Sequence, residues 1–250
     1  LGEYPLRLRC KGGFTYMSTF WVGQFPSVKE IEPNNDLSEP QDIKFNSTVY
    51  GVAGKEDADF YRVKVSKGQR ISAELEAIRL GRILFDPYLA ILNARKELMA
   101  SADDTALLRQ DAYVSVIAPD DGEYLIMVRE ASYEGNSKCR YRLHVGGFSR
   151  PAAVYPPAAI PDVNAEFRMI GDPTGDYTVE ATPMGEEGSH YKLFVQRNGM
   201  SSPSPNRVLV SSLPFANEHE PNGESKHATP IEPLAVPCAF HGIISKKDDV

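Results

Sequence analysis

Five oxygen-bearing side chains stand at short, regular spacings in one part of the chain. Glu30, Glu32 and Asn34 lie in "EIEPNND" (30–36), and Asp57 and Asp59 lie in "KEDADFY" (55–61). Residues two apart on an extended segment point the same way, and Pro33 disfavours helix at Glu32. The first three therefore share a face of a stiff extended segment, and the two aspartates share a face of the strand that follows. Side by side, the two segments bring hard oxygen donors together. Such a set suits Ca²⁺, which takes six to eight oxygens at about 2.3–2.6 Å. Packed carboxylates repel one another, and a divalent cation removes that cost. The plainer alternative is a solvated acidic face, with Asn34 capping a turn. The motif recurs, however. "EHEPNGE" (218–224) repeats Glu-x-Glu-Pro-Asn 188 residues after the first copy, a spacing of whole domains rather than of solenoid units.

The elements that must position these residues are strands. "TVYGVAG" (48–54), "DFYRVKV" (59–65), "RISAELEAI" (70–78), "YLAILN" (88–93), "AYVSVIA" (112–118), "EYLIMVRE" (123–130) and "CRYRLHVG" (139–146) are short, alternating and rich in β-branched or aromatic residues. Turn residues such as "SKGQ" and "EGNSK" separate them. In "PDDG" (119–122) the Asp-Gly pair predicts a hairpin. Seven strands without a long amphipathic helix read as an antiparallel sandwich over 30–148. Alternation puts Phe60, Val63 or Val65, Leu125 and Met127 on buried faces. "DDTALLRQDA" (103–112) reads equally as a loop or a helical turn.

Around this block the chain looks modular. "YPLRLRCKGGFTYMSTFWVGQFP" (4–26) resembles the last two strands of another β domain, so 1–29 is expected to hold C-terminal strands of a small immunoglobulin-like domain. The proline-rich "SRPAAVYPPAAIP" (149–161) and the short strands after it suggest a linker and a second small domain over 149–217. Residues 218–250 then read as the opening of a second large sandwich, because "FHGIISKKDDV" matches "VYGVAGKEDADF" up to the last residue. The absence of an initiator Met and the charged final segment suggest an internal piece of a longer polypeptide. The fold class expected is all-β, with tandem sandwiches, one larger and jelly-roll-like, the others small.

Composition narrows the function. The net charge of −7 argues against a nucleic-acid binder, and no apolar run approaches the ~18 residues of a membrane span. Cys10, Cys139 and Cys238 share no metal-ligand spacing and read as unpaired, mostly buried small hydrophobes. No histidine pair has H-E-x-x-H spacing, and no G-x-S-x-G elbow is present. His144 reads as a strand-face residue. The acidic pair in "ADDT" (102–105) is a weaker second cation candidate. Phe20, Trp21 and Phe25 form an aromatic cluster that reads as an interdomain packing patch rather than a sugar- or peptide-binding surface.

Taken in order, "EIEPNND", "GVAGKEDADFYRVKVSKGQRI", "FDPYLAILNARKELMASADD", "QDAYVSVIAPDDGEYLIMVRE" and "YRLHV" resemble the bacterial pre-peptidase C-terminal domain. The resemblance covers about residues 30–148 and resumes at 218–250. That family is similar to the collagen-binding domains of clostridial collagenases, jelly-roll sandwiches that bind calcium at an acidic N-terminal segment. The resemblance implies that Glu30, Glu32 and Asn34 are ligands, completed by Asp57 and Asp59, with Asn35 where an acidic residue is often found. It implies an exported bacterial protein, secreted or at the cell surface, in which this chain is a non-catalytic module array. Its partners would be neighbouring domains of the same polypeptide. Two other readings stand beside it. The chain is an accessory region of a secreted hydrolase, most plausibly a peptidase, or it binds a collagen-like or polysaccharide matrix. Exposed tyrosines on one face, such as Tyr88, Tyr113 and Tyr133, would favour the last.

Overall fold

The computed structural model describes residues 1–81, 83–222, 224 and 236–244. Among them the one helical piece is a 3-10 turn at Ile78–Leu80; the rest is strand, turn and loop. No helix among the described residues is long and apolar enough to cross a membrane. The chain divides into two units, Leu1–Arg150 with Gln196–Ser204, and Pro151–Val195 with Pro205–Val250.

The first unit opens with β1 (Gly2–Leu6), β2 (Arg9–Cys10), β3 (Gly13–Phe14) and β4 (Ser18–Val22). β1 pairs with β4, and β2 with β3. A ten-stranded sandwich follows: β5 (Ser27–Lys29), β6 (Gln41–Asp42), β7 (Ser47–Val52), β8 (Ala58–Val65), β9 (Arg70–Glu76), β10 (Pro87–Leu92), β11 (Leu98–Ala102), β12 (Tyr113–Ile117), β13 (Gly122–Glu130) and β14 (Arg140–Gly146). One sheet has the order β11-β10-β13-β8-β6 and the other β12-β9-β14-β7-β5. Most ladders are antiparallel, but β5 runs parallel to β7 and β6 parallel to β8. The parallel pairs arise because the chain changes sheet between consecutive strands here instead of folding back in a hairpin.

The Asp121-Gly122 turn is a correction to the sequence reading. It bends the chain, yet β12 and β13 lie in different sheets and do not pair. Lys67 N–H donates to Asp121 Oδ1 at 2.7 Å, and Tyr124 OH donates to the Asp120 carbonyl at 2.8 Å. β13 instead fills the gap between β8 and β10, pairing with β8 over Gly122–Arg129 and with β10 over Leu125–Glu130. The segment 103–112 is a loop rather than a helix, with Leu107, Arg109 and Gln110 at positive φ.

Both sheets bury one alternate set of residues in the main core, including Val49, Tyr61, Val63, Ile71, Leu75, Leu89, Ile126 and Leu143. On β13 Leu125 is buried as expected and Met127 only half-buried, but neither faces the main core. Tyr124, Ile126 and Val128 enter the main core, while Leu125 lies in a second cluster with Ala90 and Leu92, under Leu37, Tyr88 and half-buried Met127. Phe60, opposite Met127 in the ladder, is buried on that outer side too. Both faces of this sheet are partly apolar, so period-two alternation could not select between them. Of the three cysteines, all free, only Cys139 is buried; Cys10 ends β2 and is exposed.

In the second unit, β15 (Ala153–Tyr155), β17 (Ala165–Ile170) and β18 (Tyr177–Ala181) form one sheet. β16 (Ala158–Ala159), β19 (His190–Leu193) and β22 (Asn206–Val210) form another. Phe167, Met169, Leu193, Val195 and Val208 make the core between them. The hairpin of β20 (Gln196–Arg197) and β21 (Met200–Ser201) belongs to the first unit, where Ser201 N–H donates to Gln24 Oε1 at 2.9 Å. β23 (Phe215–Asn217) runs parallel to β24 (Ala239–His241).

Candidate cation site

Where the chain enters the sandwich, β5 delivers Glu30 beside β7. Glu30 N–H donates to the Tyr50 carbonyl at 3.1 Å. The Glu30 carboxylate is held from three directions. Its Oε2 accepts Val52 N–H at 3.0 Å, and its Oε1 accepts Tyr61 OH at 2.8 Å and Tyr141 OH at 2.7 Å. Tyr141 OH also lies 2.7 Å from Asp59 Oδ2 and 2.5 Å from Tyr61 OH. Gly51 makes room for this arrangement. A Cβ there would collide with Glu30 Oε1 and with the Tyr141 ring and hydroxyl. Gly51→Ala is therefore expected to overpack the site and destabilise the first unit by about 1–3 kcal/mol, measured as a lower thermal midpoint.

Glu30, Glu32 and Asp59 place carboxylate oxygens within 4.8 Å of one another. Asn34 is buried against them. Its side-chain amide nitrogen, in the orientation that satisfies every partner, donates to Glu32 Oε2 at 3.0 Å and to Asp59 Oδ1 at 3.2 Å. Turned over, the same amide presents its oxygen to the position the carboxylates share. Asp57 is buried but turns aside: Gly54 N–H donates to its Oδ2 at 2.9 Å, and Asn35 Nδ2 donates to its Oδ1 at 2.6 Å. Of the five sequence candidates, three carboxylates and Asn34 meet, and Asp57 stands behind them.

The electrostatics are those of uncompensated negative charge. Burial pushes the Asp59 carboxyl up, and Glu30, Asp57 and Glu32 push it further, to about 9, against the hydrogen bond from Tyr141. Glu32 is raised by burial, with Asp57 and Glu30 adding to it against the Asn34 N–H. Without a cation, a proton on Asp59 supplies the donor that Tyr141 lacks when its own hydrogen goes to Glu30. Alternation does not flag Tyr61 and Tyr141, because on β8 and β14 they look like any aromatic core residue.

The second motif rebuilds part of this geometry. Glu218 N–H donates to the His241 carbonyl at 2.9 Å, and the Glu218 carboxylate accepts Ile243 N–H. Asn222 N–H donates to Glu220 Oε2 at 3.0 Å, as Asn34 N–H donates to Glu32 Oε2 at 3.1 Å. Gly242 takes the place of Gly51, since a Cβ there would meet Glu218 Oε2 at 2.8 Å. The "KKDDV" segment (246–250), in which Asp248 matches Asp57 and Val250 falls at the position of Asp59, lies outside the described residues.

A buried ionic cluster on the other face of β9 and β14 escaped the sequence reading. Arg79 donates to Asp111 at 2.5 Å and to Glu74 at 2.9 Å, and Arg142 donates to Glu76 at 2.5 Å. His144, read as a plain strand-face residue, contacts Thr48 Oγ1 at 2.8 Å through Nδ1, with Nε2 at 3.6 Å from Glu76. Burial alone pushes Glu76 up, but His144, Arg79 and Arg142 outweigh it and hold the carboxyl at about 2. Trp21 lies over Arg142 at 4.8 Å and Phe25 packs against Phe148 at 5.8 Å, whereas Phe20, next to Trp21, points the opposite way and is exposed. The three tyrosines do not share a face. Tyr88 and Tyr133 sandwich Arg129 at 4.2 and 4.5 Å, while Tyr113, in the other sheet, packs towards Phe148. Asp103 and Asp104 are exposed.

No family model matches the chain, and no curated protein matches it significantly. Some solved structures are loosely similar to it. The pre-peptidase C-terminal domain of a collagenase from Bacillus anthracis is 17% identical, with a TM-score of 0.34, over 45% of this chain and 99% of that one. PliG from Aeromonas hydrophila, a periplasmic inhibitor of g-type lysozyme, is 14% identical, with a TM-score of 0.33, over 50% of this chain and 98% of that one. ZmpB from Clostridium perfringens, as its M60 catalytic domain with CBM51-1 and CBM51-2, is 11% identical, with a TM-score of 0.29, over 83% of this chain and 31% of that one.

Proposed function

We propose that the chain is a non-catalytic β-module array of an exported protein, whose large sandwich is stabilised by Ca²⁺ where the chain enters it. The reading rests on one observation: the carboxylates of Glu30, Glu32 and Asp59 converge within 4.8 Å around buried Asn34. Their chemistry fits the ion. All are hard oxygen donors, and the Asn34 amide adds a neutral oxygen when turned over. Bound calcium would replace the proton on Asp59 and neutralise the repulsion among the three carboxylates. Tyr61, Tyr141 and Val52 N–H would hold Glu30 in place, while Asp57 would brace the turn through Gly54 and Asn35. Because Glu30 and Glu32 follow β5 directly, the ion would tie the incoming segment to the sandwich and stiffen the junction with a neighbouring module.

Thermal melts in calcium and in chelator, on the wild type and on Glu32→Gln, test this. Ligand linkage stabilises the fold by about 2.7 kcal/mol when free calcium is a hundredfold above the dissociation constant. The wild type is expected to melt higher in calcium, and Glu32→Gln to lose most of that gain. A wild-type midpoint that does not move between calcium and chelator refutes the reading and leaves the motif as a hydrogen-bonded strand cap.

A further inference from the structure

The strands β1–β4 and the strands β19–β22 are two copies of one element. β1 pairs with β4 with Tyr4 opposite Phe20, and β19 pairs with β22 with Tyr191 opposite Val208. The inner hairpins repeat as well: Arg9 faces Phe14 and Cys10 faces Gly13, as Gln196 faces Ser201 and Arg197 faces Met200. The second copy is one residue longer between its inner hairpin and its last strand, and each then runs into a strand and a Glu-x-Glu-Pro-Asn motif.

Their surroundings differ. In the second unit Leu193, Val195, Val208 and Val210 are buried, at 6%, 1%, 0% and 0% exposure. Leu193, Val195 and Val208 lie under Phe167, Met169 and Val179 of β17 and β18 and Val154 of β15. The matching positions of the first copy are Leu6, Leu8, Phe20 and Val22, at 45%, 57%, 56% and 44% exposure. Every one is a large apolar residue standing where its counterpart is core. The opposite face of β4 is already engaged, through Trp21 over Arg142.

We infer that the exposed face of β1 and β4 is a docking surface for a three-stranded β layer of the β15–β17–β18 kind, with inward-pointing aromatic and aliphatic residues, supplied by another module of the same polypeptide. A second copy of this chain fits less well, because its own β15–β17–β18 layer is already covered by β19 and β22. The inference does not depend on calcium.

The test uses the full chain with and without an added copy of residues 151–188 joined to Gly2, which reproduces the spacing from residue 188 to Tyr191. Apolar-dye fluorescence, amide exchange across β4 and sedimentation are read on both. In the extended chain, exchange in β4 is expected to slow by about tenfold or more, and dye binding to fall. Phe20→Ser is expected to reverse both effects there and to leave the midpoint of the unextended chain unchanged, whereas Val208→Ser lowers it. Unchanged exchange and dye binding on extension overturn the proposal. So does a dimer of the unextended chain that Phe20→Ser dissociates, because the surface then serves self-association. A loss of stability in the unextended chain on Phe20→Ser also overturns it, because the residue is then core already.

Discussion

Asp111→Ala is expected to destabilise the first unit by about 3–5 kcal/mol, the loss typical of breaking a buried ion pair from one side. The Asp111 carboxylate ends the loop after β11 and does four jobs at once. Oδ1 accepts Ala77 N–H at 3.0 Å and Ile78 N–H at 2.7 Å, and Oδ2 accepts Arg79 N–H at 3.3 Å and Arg79 Nε at 2.5 Å. Alanine removes all four hydrogen bonds together. It strands backbone N–H groups at the start of the 3-10 turn, each a cost of about 1–3 kcal/mol when buried. It also leaves the Arg79 guanidinium with Glu74 and the Leu75 carbonyl alone. Asp111→Asn keeps an acceptor for the backbone and should recover part of the loss. In urea, the transition of the first unit should move to lower denaturant with unchanged slope, while that of the second unit stays in place. A shift below about 1 kcal/mol would mean that the loop relaxes to let water reach Arg79.

In chelator, the first unit is expected to lose stability as pH rises from about 5 to about 8. Asp59 has an ordinary value of 3.8 and a folded value raised to about 9. Between those limits the folded protein keeps a proton that the unfolded chain has released. The stability from this group is thus complete below about pH 4 and is lost as pH rises towards 9, by up to about 1.4 kcal/mol per pH unit. Glu76 works in the opposite sense and elsewhere. Its carboxyl is held at about 2 against an ordinary 4.5, so its contribution is intact above pH 4.5 and disappears only as pH falls towards 2. The two slopes have opposite signs and overlap only between pH 3.8 and 4.5. Calcium should flatten the alkaline slope, since the ion takes the place of the proton, so the calcium-induced gain in melting temperature grows with pH. Asp59→Asn should abolish the slope without metal. A flat profile in the wild type would show that Asp59 is already ionised in the metal-free fold.

What the residues determine by themselves is local. Alternation and turn chemistry specify strands over 47–146, because pleated segments with one buried face must repeat every second residue. The oxygen donors are legible for the same reason: Glu30, Glu32 and Asn34 share a face through their spacing alone, and the second Glu-x-Glu-Pro-Asn copy announces a domain-scale repeat. Only the tertiary structure decides what depends on distant partners. Asp121-Gly122 is a hairpin signal in isolation, yet β13 pairs with β8 over Gly122–Arg129 and with β10 over Leu125–Glu130, both strands remote from the turn. Both alternate sets of β13 contain large apolar residues, so the long-range register puts Ile126 in the main core and Leu125 outside it. At the acidic site, chain position does not tell Asp57, which faces Asn35 and Gly54, from Asp59, which faces Glu30 and Tyr141. That division comes from two tyrosines on strands far apart in sequence, whose hydroxyls meet only once the two sheets close over the same core.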